Sequence, residues 1–268
     1  MIPSLKKAYA EFARHPFVFI WISLLYLSFQ VLFGLAAAGL FLIYFLLASV
    51  LGMSTGFDAL ATKAALGIIA IVFLYFSCGL NAGLANGYSL ALERKKTNAL
   101  DFLRYSLGRA PVMFLIMLIR ELIFIFTGGL LIGAYMYFNL GDYEFLDILF
   151  GGAVLLIVFF LHLIFTPAFI YAGAFGNSLF DSMRNGYKLL RRKHFMFIGL
   201  YFLFAIAWVL GFIPFIQLGM LFALYPIVYS AMLVMAQASG KGRAGGGHTM
   251  KLGAFIEPEK KEEDDEKE

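Results

Sequence analysis

Arg120 and Glu121 stand side by side in the middle of an otherwise apolar run. They lie nine and ten residues past Pro111, roughly 13–15 Å along a helix rising 1.5 Å per residue. Charges at that depth in a membrane are costly. Where they occur they bind an ion, a proton or a headgroup, or they tie helices together through hydrogen bonds. Adjacent helical residues project about 100° apart, so Arg120 and Glu121 need not pair with each other. His162, in the middle of the next apolar run, is a third candidate for the same site because consecutive elements tend to be neighbours. Gln30, Asn81 and Gln217 add hydrogen-bonding capacity in other runs. A ligand pocket and a structural polar network both accommodate these residues, and a single imidazole taken alone fits packing better than binding.

Two prolines inside apolar runs, Pro167 and Pro226, each follow a hydroxyl-bearing residue (Thr166, Tyr225) and precede a tyrosine (Tyr171, Tyr229). Proline frees a carbonyl and kinks a helix, which neighbouring hydroxyls can relieve. The two kinked helices are candidates to line a shared cavity. No nucleotide-binding loop, H-E-x-x-H or G-x-S-x-G pattern is present. The histidines at 15, 162, 194 and 248 are scattered, and Cys78 is the only cysteine. No metal site, cofactor or disulfide framework is expected.

The elements that must position these groups follow from composition. Of 268 residues, 62% are hydrophobic and 14% charged, with mean hydropathy +0.84. A water-soluble fold of this size has too little interior for that much apolar surface. The chain reads as an all-α polytopic membrane bundle. Apolar runs of spanning length fall near Pro16–Leu47, Ala64–Gly87, Val112–Phe138, Phe145–Ala174, Phe195–Ile213 and Phe215–Gln237, predicting six transmembrane helices. The first run is long enough to be folded at Gly34 or Gly39, but charge argues against it. Arg14, the cluster from Arg94 to Arg109, the cluster from Arg184 to Lys193, and Lys241 with Arg243 all fall on one side of a six-span chain. The other side holds Lys63 beside acids such as Asp58, Asp142 and Asp147. By the excess of Lys and Arg in cytoplasmic loops, both termini lie in the cytoplasm and the protein in the cell membrane. The first run is expected to be an uncleaved anchor.

Charge also divides the chain lengthwise. Residues 257–268 carry eight acids and three lysines, and the formal charge of +4 leaves +9 for the rest. The expected organisation is a six-span domain over 1–238, a Gly-rich linker over 239–256 and an acidic, disordered tail over 257–268.

Within the membrane domain a unit recurs. Ser4–Phe19, Ala99–Phe114 and Met183–Phe197 each read as a short polar helix closing on a basic residue, followed by the start of a span. Arg14, Arg109 and Arg192 are equivalent anchors, followed at equal spacing by Phe19, Phe114 and Phe197. The expected architecture is three repeats, near 1–88, 89–174 and 175–238, of an interfacial amphipathic helix plus a two-span hairpin. Leu100, Leu103 and Leu107 predict the apolar face of the second interfacial helix. Leu179, Met183, Tyr187 and Leu190 predict that of the third. Asn98 with Asp101, and Ser178 with Asp181, are expected caps.

This organisation, with the Arg109-Ala110-Pro111 entry and the stretch Gly176–Phe197, resembles the membrane domain attached to some bacterial glycerophosphodiester phosphodiesterases and its stand-alone prokaryotic relatives of unknown function. The resemblance covers roughly residues 1–238 and implies a six-span module working at the membrane, near lipid. The phosphodiesterase barrel has no counterpart in this sequence, so the resemblance implies no phosphodiester chemistry.

A non-enzymatic membrane protein is therefore expected, engaging anionic headgroups or a partner membrane protein through Arg14, Arg104, Arg109, Arg184, Lys188, Arg191, Arg192 and Lys193. Nucleic acid is not an expected partner. The alternatives are a permeation module using Arg120, Glu121 and the proline kinks, and an intramembrane lipid-modifying enzyme.

Overall fold

The computed structural model describes residues 2–52, 60–138, 144–210 and 219–240. The described residues are almost wholly helical and include no strand. The helices are α1 (Ile2–Arg14), α2 (Pro16–Val50), α3 (Leu60–Leu92), α4 (Ala99–Tyr137), α5 (Glu144–Phe175), α6 (Leu179–Leu210) and α7 (Tyr225–Gly240), the last preceded by a π-helical turn over Met220–Leu224. The linker beyond Gly240 and the acidic tail lie outside the described residues, and α7 carries two residues past the expected domain edge at 238.

Among the described residues, five helices are long and apolar enough to cross a membrane: α2, α3, α4, most of α5, and Phe222–Ser239. The described helices define an integral membrane bundle. The first apolar run is one unbroken helix rather than two short ones. The expected spans Phe195–Ile213 and Phe215–Gln237 run through residues 211–218, outside the described residues.

Successive helices pair antiparallel. Along α2 and α3, Ser23 Oγ meets Tyr88 OH at 2.7 Å, Gln30 Nε2 donates to Ser77 Oγ at 3.0 Å, and Tyr44 OH meets Thr62 Oγ1 at 3.2 Å. One number rises as the other falls. α4 returns beside α3, α5 beside α4 and α6 beside α5, and α7 packs on α1, α3, α5 and α6.

Small residues set the closest approaches. Gly79, Gly83 and Gly87 recur every four residues on α3. A Cβ at Gly79 would sit 2.6 Å from the Ser106 carbonyl oxygen, one at Gly87 would sit 2.7 Å from Ile22, and one at Gly83 would strike Ser106 Oγ. Gly186 of α6 likewise meets the α5 backbone, 2.8 Å from the Ala168 nitrogen. Lipid tails are as apolar as Leu, so helices associate where backbones can approach closely. Between them, a run of neighbouring rings threads the core from Phe19 through Tyr88, Tyr229 and Phe204 to Tyr201.

That packing shows which side of each interfacial helix meets the bundle. In α4 the buried side is Phe102, Ser106 and Ala110, while Leu100 and Leu107 are exposed. In α6, Ser182 and Leu189 are buried and Tyr187 faces outward. Leu100, Leu107 and Tyr187 are open to lipid, Leu179, Met183 and Leu190 are partly buried against the core, and the small-residue stripes face protein.

The helix entries also differ from the repeat as expected. Between α1 and α2, His15 leaves helical geometry (φ −135°, ψ 51°), because Pro16 holds the residue before it out of the α region. At the equivalent place in α6, Lys193 does the same (φ −135°, ψ 32°) without any proline. In the second unit, α4 instead runs through Pro111 as one helix. The expected caps form: Asn98 Oδ1 accepts from Asp101 N at 2.7 Å, and Ser178 Oγ accepts from Asp181 N at 3.3 Å.

Candidate functional site

The bundle presents two polar sites. In the deep one, α4 and α5 bring Arg120, Glu121 and His162 together. Arg120 Nε donates to Glu121 Oε1 at 2.9 Å, and a second guanidinium nitrogen contacts the same oxygen. The neighbours therefore do pair, since the guanidinium is long enough to fold back over the next residue. Arg120 Nη1 lies 3.3 Å from His162 Nδ1. A guanidinium has no acceptor, so His162 accepts at Nδ1 and carries its proton on Nε2. Phe169 completes the site, its ring centroid 5.8 Å from the Arg120 guanidinium carbon, a cation–π distance. The Arg120 side chain is 16% exposed and that of Glu121 40%. Within this network every charge has an opposite or polar partner, which is how a charge is tolerated at this depth.

The prolines do not join that site. Pro167 is buried in α5, where the neighbouring Thr166 Oγ1 donates back to the His162 carbonyl at 2.6 Å. Pro226 follows the π-helical turn, whose wider loop carries the Tyr225 N–H to the Met220 carbonyl. The kinked helices touch directly: Tyr171 OH of α5 donates to the Ala236 carbonyl of α7 at 3.2 Å. Gln30 and Asn81 bond to Ser77 rather than to Arg120, and Gln217 lies outside the described residues.

The second site is the basic end of the bundle. α1 and the end of α3 are joined there by Glu11, which accepts from Arg14 Nη1 at 3.3 Å and from Arg94 at 3.3 and 3.4 Å. The Arg94 hydrogen bond holds the Glu11 carboxyl below its ordinary range, outweighing the opposing cost of burial, with the Arg94, Arg14 and His15 charges adding to it. Trp21 Nε1 of α2 donates to the Thr97 carbonyl at 3.2 Å. Arg109 lies across the α5–α6 turn, so close to Gly176 that any Cβ there would strike its guanidinium. Gly176 has φ +65°, which glycine adopts readily.

These contacts sort the candidate headgroup residues. Arg14 is committed to Glu11, and Arg109 is packed against the Gly176 turn. Arg104, Arg184, Lys188, Arg191 and Arg192 are exposed, and Lys193 is half-buried at the break in α6. Sequence reasoning passed over Glu11 and the α3 glycines, and took Arg94 only as part of the basic cluster that sets the orientation. Glu11 and Arg94 are 83 positions apart and carry no local signal, whereas the Gly79–Gly83–Gly87 spacing was a usable one.

No family model, curated protein or solved structure matches the chain.

Proposed function

We propose that the chain is a six-span protein of the cell membrane, both termini cytoplasmic, built from three interfacial-helix-plus-hairpin units. In this reading it engages anionic lipid headgroups at its basic end and catalyses no reaction. The resemblance to the membrane domain of the glycerophosphodiester phosphodiesterases belongs to the same proposal. The observation that carries it is the concentration of exposed cations at one end, Arg104, Arg184, Lys188, Arg191 and Arg192, interleaved with exposed apolar side chains such as Leu100, Leu107, Phe180 and Tyr187. Cations that border hydrocarbon attract anionic lipid at about 1 kcal/mol each.

Trp21, half-exposed beside Thr97 at this end, offers a direct test. In a Trp208→Phe background, brominated phosphatidylglycerol should quench its fluorescence more strongly than brominated phosphatidylcholine at equal mole fraction. The excess should fade with salt. Equal quenching by both lipids contradicts the proposal.

A second reading has its own observation. The paired Arg120, Glu121 and His162 bridge two helices partway along their apolar runs and stay partly exposed, as a permeation site requires. The mutual satisfaction of these groups within the network favours the structural role.

A further inference from the structure

At the basic end, α1, the break in α6 and the end of α7 enclose a cavity of about 750 Å³. Its polar wall is Ser4, Lys7, Arg192, Lys193, His194 and Gln237, and among the described residues no acid lines it. Among the described residues none of these three lysines and arginines is in an ion pair. That separates this helix entry from the first, and the second holds its arginine by packing. At the first, Glu11 neutralises Arg14 and Arg94. At the second, Arg109 is packed on the Gly176 turn. At the third, Arg192 and Lys193 are joined by Lys7 from α1, and no acid among the described residues pairs with them.

The backbone contributes as well. Lys193 departs from helical dihedrals, so a new helical segment starts at His194, and its N-terminal end borders the cavity. Helix N-termini favour negative charge. One side of the wall is apolar: Phe195 and Met196 are 80% and 48% exposed and continue from the cations onto the outer face of the bundle, with Val234 behind them.

Building on the proposed lipid engagement, we infer that this cavity is a discrete site for one anionic phospholipid. Its phosphate is held by Lys7, Arg192 and Lys193, and an acyl chain lies along Phe195 and Met196. The apolar wall selects a lipid over a soluble phosphate, which has nothing to place there. Three converging cations select an anionic lipid over a zwitterionic one.

Native mass spectrometry of the full chain from lipid nanodiscs containing phosphatidylglycerol and phosphatidylcholine tests this. One phosphatidylglycerol should persist at activation energies that strip the rest. Each cation removed among Lys7→Ala, Arg192→Ala and Lys193→Ala should cost about fivefold in its retention, so the triple variant should lose on the order of 100-fold. Lys63→Ala, at the opposite end of the bundle, should leave that one lipid in place, and an Arg104→Ala with Lys188→Ala variant tests the surrounding cations. If the triple variant keeps the lipid and the Arg104/Lys188 variant sheds it, the cavity is not the site although lipid engagement stands. If neither variant changes anything, both fail. Displacement of the lipid by millimolar inorganic phosphate overturns the lipid assignment. Appearance of the lipid only after neutralising the acids of residues 257–268 does so too, making the chain's own tail the occupant.

Discussion

Replacing Arg120 by Met removes the guanidinium that holds Glu121 at 2.9 Å and His162 at 3.3 Å while keeping an apolar chain against Phe169. It leaves a carboxylate deep in α4 with no cation. An unpaired charge at the centre of a membrane helix costs about 2.5–3.5 kcal/mol, so Arg120→Met should destabilise the protein by ~3 kcal/mol. Glu121→Gln is gentler, about 2 kcal/mol, because Arg120 keeps a charge-to-dipole hydrogen bond to His162 and its place over Phe169. The double variant removes both charges and should return to within ~1 kcal/mol of the parent, a coupling of at least about 4 kcal/mol. Reversible unfolding in mixed micelles, titrated with SDS and followed by circular dichroism, gives all four corners of the cycle. Additive single losses refute the pairing, and a stable Arg120→Met refutes the claim that the network holds α4 to α5.

Other perturbations test the packing and the basic end. Gly79→Ala should cost about 1–3 kcal/mol, since its Cβ meets a backbone oxygen that cannot move aside. Gly129→Ala, with nothing within 4 Å, should be neutral or stabilising by up to ~1 kcal/mol in the same unfolding assay. Glu11 is depressed below 4.5 in the folded protein; its contribution is present at neutral pH and is lost as pH falls through the folded value. Glu11→Gln should therefore flatten the acid limb of a pH–stability profile below about pH 4.5 while lowering stability at pH 7. Thiol-reactive probes on single cysteines, in a Cys78→Ala background, should label Arg104→Cys from the cytoplasm and Lys63→Cys from outside. The reverse pattern contradicts the orientation.

The helices were legible because apolar runs longer than a bilayer admit few other structures, and the caps at Asn98 and Ser178 because capping is a local rule. The proximity of Arg120 to His162 followed from neighbouring spans. Which face of each helix is buried was not legible from hydrophobicity, because in a membrane it does not distinguish lipid from protein. Leu100 and Tyr187 face outward for that reason, and the glycines of α3 mark the true interface. Proline was an unreliable guide to helix breaks: Pro16 makes one at His15, α4 absorbs Pro111, and α6 breaks at Lys193 with no proline near. The Glu11–Arg94 pair is tertiary and left no trace in spacing. The cavity beside Lys193 depends on α1, α6 and α7 converging, which no single segment encodes.

The most direct measurement is the lipid composition of the protein extracted with its surrounding bilayer in polymer discs from its own membrane. Anionic phospholipid should be enriched several-fold over the bulk membrane, and neutralising Arg184, Lys188 and Arg191 should reduce that enrichment. A lipid shell with the composition of the bulk membrane, unchanged by those substitutions, contradicts lipid engagement at the basic end.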